Sequence, residues 1–409
     1  MQVRIHRGAA QIGGTCIELV HDGVRIALDL GLPLEGDPED QSLVPRIGGR
    51  DLAAVFISHP HIDHYGLLHH LPGRVPVAMG AAAKRIVAAA APFTRQRLHD
   101  LDGPVLRDRQ VMQIGSFSVT PFLVDHSAFD SYALLIEAGG KRVFYSGDFR
   151  AHGRKPWLFD GIVARPPKNI DVLLMEGSSL SRLGADARFP TEGDLERDLT
   201  GRVRSAAGPV LVHISAQNID RVVTLYRAAK QSGRTLVIDL YSAAILAATQ
   251  GATIPQSNWP KVALYVPQAQ RRQIKRHGWF DLLQAHTAHR IFPKGLRALA
   301  SNAVILYRPL MMGDLERADC MAGARFIYGQ WLGYLDKGSY ATTREWLRRH
   351  GITLEHVHTS GHASPADLKR FARALAPKAL VPIHSFAPEL YPQLFANVVP
   401  RADGEWWAP

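Results

Sequence analysis

Four side chains able to bind a metal fall within six residues: His59, His61, Asp63 and His64, in the run Ser58-His59-Pro60-His61-Ile62-Asp63-His64. Imidazoles together with a carboxylate suit Zn²⁺, an ion that activates water for hydrolysis. A lone loop histidine is most simply a solvated one. Four ligand-type residues at this spacing are better explained by a metal. The run follows Ala53-Ala54-Val55-Phe56-Ile57, apolar and β-prone, which is the pattern of a buried strand. The ligands are therefore expected on the loop at the C-terminal end of that strand, where open α/β sheets carry their sites.

Other polar residues also close apolar runs. His126 comes shortly after 118–122, Asp148 ends 143–148, Glu176 ends 173–176 and His384 ends 379–384. Residues 1 to about 180 read as short strands separated by Gly-rich turns, with one clear helix over 81–91. From about 190 the texture becomes strand–helix alternation. Thr191 is an N-cap candidate, 209–214 and 235–239 read as strands, and 219–231 is an amphipathic helix between them. Strands at 304–307 and 324–328 follow, with no phosphate-binding loop or dinucleotide glycine fingerprint in the stretch. A helix over 343–350, a strand over 354–358 and a helix over 365–375 lead to the run ending at His384. If this late His joins the early cluster, the middle segment is an insertion. The predicted division is a first domain over 1–185, an inserted domain over 186–342 and a return segment over 343–409.

The chain has 409 residues and a net charge of +11, which favours polyanionic partners such as nucleic acid. Its basic clusters at 271–277, beside Trp279 and Phe280, and at Arg344, Arg348 and Arg349 read most simply as solvated helix ends and faces. Two cysteines, Cys16 and Cys320, give no disulfide framework, which fits a reducing cytoplasm. No apolar run is long enough to span a bilayer, and the N-terminal residues lack a signal-peptide layout.

The His-x-His-x-Asp-His run resembles the signature of the metallo-β-lactamase superfamily, whose fold is an αββα sandwich holding two metals. That resemblance assigns His59, His61 and His126 to a first zinc, and Asp63, His64 and His384 to a second, with Asp148 bridging; Mn²⁺ is the alternative ion. Asp29, in Leu28-Asp29-Leu30-Gly31, matches the first acidic motif and is expected to orient the His loop without binding metal. Glu176, in Leu173-Leu174-Met175-Glu176-Gly177-Ser178, His362, in Ser360-Gly361-His362-Ala363, and His384 resemble motifs A, B and C of the β-CASP nucleases. The insertion lies where that family carries its β-CASP domain. The stretches 214–221, 327–335 and Ser360-Gly361-His362-Ala363 are similar to the ribonuclease J family.

The resemblance implies a zinc-dependent nuclease that cleaves single-stranded RNA by two-metal hydroxide attack, exo or endo. Asp63 would orient the attacking oxygen, and His362, kept protonated by Glu176, would be the general acid. Ser360, Gly361 and Ser385 are expected to cradle a phosphate, and Asn218 and Arg221 to contact the nucleic acid from the insertion. A homo-oligomer is compatible with this reading. The alternatives are a DNA-directed β-CASP nuclease, a small-molecule hydrolase of the same superfamily, and a catalytically inactive binding module.

Overall fold

The computed structural model describes residues 1–47, 51–71, 75–94, 97, 100–336 and 338–409. Internal contacts divide the chain into two compact units, Met1–Phe189 with Gly361–Pro409, and Pro190–Ser360.

The first unit is built on two sheets. One runs, in spatial order, Trp406–Trp407, Gln2–Arg7, Cys16–His21, Val24–Leu28, Leu52–Phe56, Val77–Gly80 and Val105–Leu106. The other runs Ala379–Ile383, Val172–Glu176, Lys141–Tyr145, Ser131–Ala138, Phe117–Val124 and Met112–Ile114. Side chains alternate along each strand, so a strand buried on both faces serves two cores. In Val172–Glu176, Val172 and Leu174 point between the sheets, while Leu173 and Met175 point outward. The inner core joins Ile5, Ile17, Leu28 and Phe56 to Val119, Leu134, Tyr145 and Ile383. Helices Pro156–Ala164 and Pro365–Leu375 cover the outside of the second sheet through Phe159, Ile162, Leu368 and Phe371. Helix Ala81–Ala90 covers the first through Ala83 and Val87. This is the αββα sandwich that the sequence leads one to expect.

Strand direction gathers the site. Lys141–Tyr145, Val172–Glu176 and Ala379–Ile383 run parallel, and Phe117–Val124 shares their direction through its antiparallel neighbour Ser131–Ala138. Val24–Leu28 and Leu52–Phe56 are parallel in the other sheet. The segments carrying Asp29, the His loop, His126, Asp148, Glu176 and His384 all leave C-terminal strand ends.

The second unit carries a parallel sheet in the order Arg290–Ile291, Val262–Tyr265, Thr235–Ile238, Ala303–Leu306, Val210–His213, Arg325–Tyr328 and Leu354–His356. Thr191 caps helix Glu192–Ser205 in a reciprocal capping box with Asp194. Helix Ile219–Gln231 follows, with the Asn218 side-chain oxygen Oδ1 accepting from the Arg221 amide. The expected return at 343 needs correction. Leu354–His356 adds to the edge of this sheet beside Arg325–Tyr328, and helix Ala341–Arg349 buries Trp346 and Leu347 in this unit's core. The chain therefore stays in the second unit through Ser360. Strand–helix alternation continues across that point, so no change of pattern marks it. Helix Leu240–Ala248 is buried on nearly every side and shows no amphipathic period to read.

Arg221 is also not where a nucleic-acid contact would be. It is 1% exposed. Its guanidinium donates to both oxygens of Glu192 (3.0–3.2 Å), to the Gly329 carbonyl at 3.1 Å and to the Thr359 carbonyl at 3.3 Å. Thr224 Oγ1 donates to the same Glu192 carboxylate at 2.9 Å. A buried ion pair with its donors satisfied ties the start of one helix to the next and to two loops. Arg221→Ala strands the Glu192 charge and is expected to cost about 3–5 kcal/mol. The double replacement Glu192→Met with Arg221→Met should cost less, because neither charge is left alone. Urea denaturation of the two variants checks this; a wild-type midpoint for Arg221→Ala would remove the structural role.

Candidate metal centre

The His loop is held by one carboxylate. Asp29 is fully buried, has φ +57°, and donates its own amide to the Phe56 carbonyl at 2.8 Å. Its side chain accepts from the Ser58 amide (2.7 Å), the Ser58 hydroxyl (2.8 Å), His64 Nδ1 (2.7 Å) and the Tyr145 hydroxyl. Fixing the proton on Nδ1 leaves His64 Nε2 as the free lone pair. Backbone bonds complete the clamp: Leu30 donates to His64, Leu32 to Ile62 and Gly14 to Asp63. Gly31 is required here, because a Cβ would overlap the Asp63 carbonyl.

The other imidazoles are oriented in the same way. His384, in the left-handed region at φ +48°, meets Thr15 Oγ1 through Nδ1 at 2.9 Å. His126 Nδ1 lies 2.6 Å from the Gly361 carbonyl. A Cβ at Gly361 would overlap the Ser127 hydroxyl, so glycine permits this approach. The free ends converge on Asp148 Oδ2, with Nε2 of His64 at 3.2 Å, His384 at 3.5 Å, His59 at 3.7 Å and His126 at 4.0 Å. His61 Nδ1 stands 3.2 Å from His126 Nε2, and Asp63 Oδ2 lies 3.9 Å from both His64 and His384.

These residues form ligand-sized groups: His59, His61 and His126; His59, His64 and Asp148; Asp63, His64 and His384; and Asp148, His362 and His384. The Nε2 atoms of His59, His64 and His384 are buried and have no hydrogen-bond partner among the described residues. Buried polar nitrogens are normally satisfied, so three orphans facing one carboxylate fit a divalent cation. Burial holds His59 and His126 well below the usual imidazole range, His61 at about 4, and His384 low as well. These four are thus kept in the neutral form that binds metal. His64 is the exception: burial opposes its charge, but Asp148, Asp29 and Asp63 outweigh burial and hold it well above that range.

Glu176 and His362 sit beside this cluster. His362 Nδ1 is 3.0 Å from Glu176 Oε2 and 3.7 Å from Asp148 Oδ2. Glu176 is fully buried and accepts amides of Phe149, Ser178 and Ala363 at 3.2–3.4 Å. Burial opposes charge on His362, yet the Glu176 and Asp148 carboxylates raise it above the usual range.

Of the residues expected to cradle a phosphate, Ser385 is committed to the fold. Ser385 is fully buried, donating its hydroxyl to the Gly177 carbonyl at 3.2 Å and accepting the Ala387 amide. A committed hydroxyl cannot also serve a phosphate. Asn218 is a half-buried helix cap. Sequence reading missed Thr15, Tyr145 and the buried Asp125–Arg150 pair at 3.2 Å, all far in sequence from what they support. The polar Thr15 and Asp125 within apolar surroundings were the available signal.

A sandwich with these ligands at one edge, interrupted by an inserted α/β unit, is the metallo-β-lactamase fold. Residues 34–192 match the Beta-lactamase superfamily domain. The chain is similar to proteins named ribonuclease J. It is 25% identical over 238 residues to Ribonuclease J of Mycolicibacterium smegmatis, covering 56% of this chain and 42% of that protein. It is 23% identical over 402 residues to Ribonuclease J2 of Bacillus subtilis, covering 92% and 68%. A crystal structure of a protein of unknown function from Enterococcus faecalis V583 superposes with a TM-score of 0.81 at 23% identity, over 99% of both chains. The chain spans about four tenths of the mycobacterial relative's length. The fold implies a divalent metal, and the His and Asp groups fit one. No helix among the described residues is long and apolar enough to cross a membrane.

If Asp29 positions the His loop, Asp29→Ala should weaken metal affinity about 10–100-fold while the sandwich stays folded. Metal-buffer titration followed by circular dichroism checks both halves. Wild-type affinity in this variant would show that His64 needs no such support.

Proposed function

We propose that the protein is a two-zinc nuclease that hydrolyses phosphodiester bonds of single-stranded RNA, in the manner its ribonuclease J relatives are named for. The observation that carries the reading is the Glu176–His362 pair standing 3.7 Å from Asp148 at the edge of the ligand cluster. A lactam or thioester hydrolase needs the metal groups but no second proton donor, whereas a departing 3′ oxygen of RNA needs one. The net charge of +11 suits the polyanionic substrate.

His59, His61 and His126 would hold one zinc and Asp63, His64 and His384 the other, with Asp148 shared. When bound, the pair supplies Lewis acidity that acidifies water and neutralises charge on phosphate. The chain's own groups do the rest. Asp63, partly open to solvent, orients the attacking water. Glu176 holds His362 in its protonated form, and His362 passes its proton to the leaving 3′ oxygen, giving a 5′-phosphate and a 3′-hydroxyl. Exonuclease action from the 5′ end, with Gly361 backbone beside the terminal phosphate, is preferred over internal cutting on the likeness of 214–221 and 327–335 to ribonuclease J. A cytoplasmic setting follows from the same reading.

His362→Ala should keep two zinc per chain by metal analysis while single-turnover cleavage slows roughly 10²–10⁴-fold. Loss of metal from this variant would make His362 a ligand and overturn the proton-donor role. His61→Ala should lose both metal and activity.

Substrate class is tested with one labelled sequence prepared as RNA, as single-stranded DNA and as circular RNA, alongside a lactam. RNA carrying a 5′-monophosphate should release mononucleotides fastest. Equal turnover of DNA would remove the RNA preference, and equal cutting of circular RNA would replace the exonuclease mode with an endonuclease one.

A further inference from the structure

The stretch 268–297, thirty residues of the second unit, holds seven Arg and Lys against a single Asp, so it carries a net +6 of the chain's +11. It comprises helix Gln268–His277, helix Phe280–Gln284, the edge strand Arg290–Ile291 and the start of helix Pro293–Leu299. The buried positions of the first helix are Gln270 and Ile274. Arg272, Lys275 and Arg276, spaced i, i+3 and i+4, are exposed and share the opposite side. Arg271 is half-buried and paired with Asp314, and Arg297 with Asp319. Arg272, Lys275, Arg276 and the exposed Lys294 make no ion pair among the described residues.

Two large aromatic rings accompany these charges. Phe280 is 58% exposed and Phe292 59%. The Arg290 guanidinium lies 4.8 Å over the Phe292 ring, and the His277 and Trp279 rings stack at 4.9 Å. Both phenylalanine rings fall within the same basic stretch as the cations. Cations accompanied by exposed aromatic side chains are how proteins hold single strands without reading sequence: the cations take phosphates and the rings stack on bases. Double-stranded nucleic acid offers no free base faces, and an acidic peptide offers none at all.

We propose that this edge of the second unit is an auxiliary docking strip for single-stranded RNA, built from residues outside the His and Asp cluster, which tethers long substrates between cleavage events. The choice of RNA as partner rests on the nuclease reading; the strip's affinity for a single strand is read without any cleavage.

The test measures anisotropy of a labelled thirty-nucleotide unstructured RNA with wild-type protein, with Arg272→Ala/Lys275→Ala/Arg276→Ala, and with Phe280→Ala/Phe292→Ala. Each is compared on a non-hydrolysable phosphorothioate strand so that binding alone is seen. The charge variant should bind about 10-fold or more weaker. Its slope of log affinity against log salt should fall by about 2, from three phosphate contacts at roughly 0.7 each. The aromatic variant should weaken binding with its salt slope unchanged. Both should cleave a five-nucleotide RNA at the wild-type rate, since tethering is proposed for long strands and the substituted residues lie outside the metal cluster. Unchanged affinity and slope in the charge variant would overturn the strip while leaving the nuclease intact; wild-type protein that neither binds nor cuts RNA would overturn both. Loss of affinity in the charge variant alone would mean a diffuse polyanion surface and no stacking site. Capture by phosphatidylglycerol vesicles that is lost in both variants, with RNA binding unaffected, would assign the strip to a lipid surface instead.

Discussion

The metal-binding edge of the first unit depends on a single buried carboxylate. Asp29 accepts four donors from two separated parts of the chain: Ser58 and His64 from the loop, and Tyr145 from the other sheet. A fully buried charge is costly unless it is satisfied in this way. Its backbone sits in the left-handed region at φ +57°, a conformation that Asp tolerates better than most residues. The hydrogen bond to Nδ1 decides which nitrogen of His64 faces the cluster. Remove it, and the ring loses both its tautomer and its orientation.

Around that anchor the difficulty is crowding of like groups. The His59 and His64 rings are 4.0 Å apart between centroids, and the His61 and His126 rings 5.0 Å. Burial keeps most of these imidazoles neutral, so they repel little and present lone pairs. Asp148 stands where their free nitrogens meet, and although burial disfavours its charge, His384, His64 and His362 hold it well below the usual carboxylate range. One group in the cluster therefore stays anionic while most of its neighbours stay neutral. That is a preorganised cation site.

The second unit uses its charges in two different ways. Arg221 and Glu192 are sealed inside and spend every donor on the fold. The cations of helix Gln268–His277 remain outside. The same residue type therefore serves as a structural staple at one position and faces solvent at another, and burial alone separates the two.

Several of the candidate ligands were legible in the sequence because they follow strands, and strand ends are marked by apolar runs that stop abruptly. His59, His126, Asp148 and His384 carry that signal, and Thr191 was legible as a helix cap. The αββα class was what the resemblance carried by the His run implied. The sequence could not place Arg221 or Ser385. Both belong to types and neighbourhoods that suit a ligand, and only packing showed that their polar atoms were already committed. It could not show Thr15 behind His384 or Tyr145 behind Asp29, because those bonds join distant segments and leave no spacing to read. Nor could it find the end of the second unit at Ser360, since pairing of Leu354–His356 with Arg325–Tyr328 is a choice of sheet partner. Local pattern determines which residues end a strand and what chemistry they offer; which of them remain free to use it is decided by the long-range hydrogen bonds and burial that only the folded chain supplies.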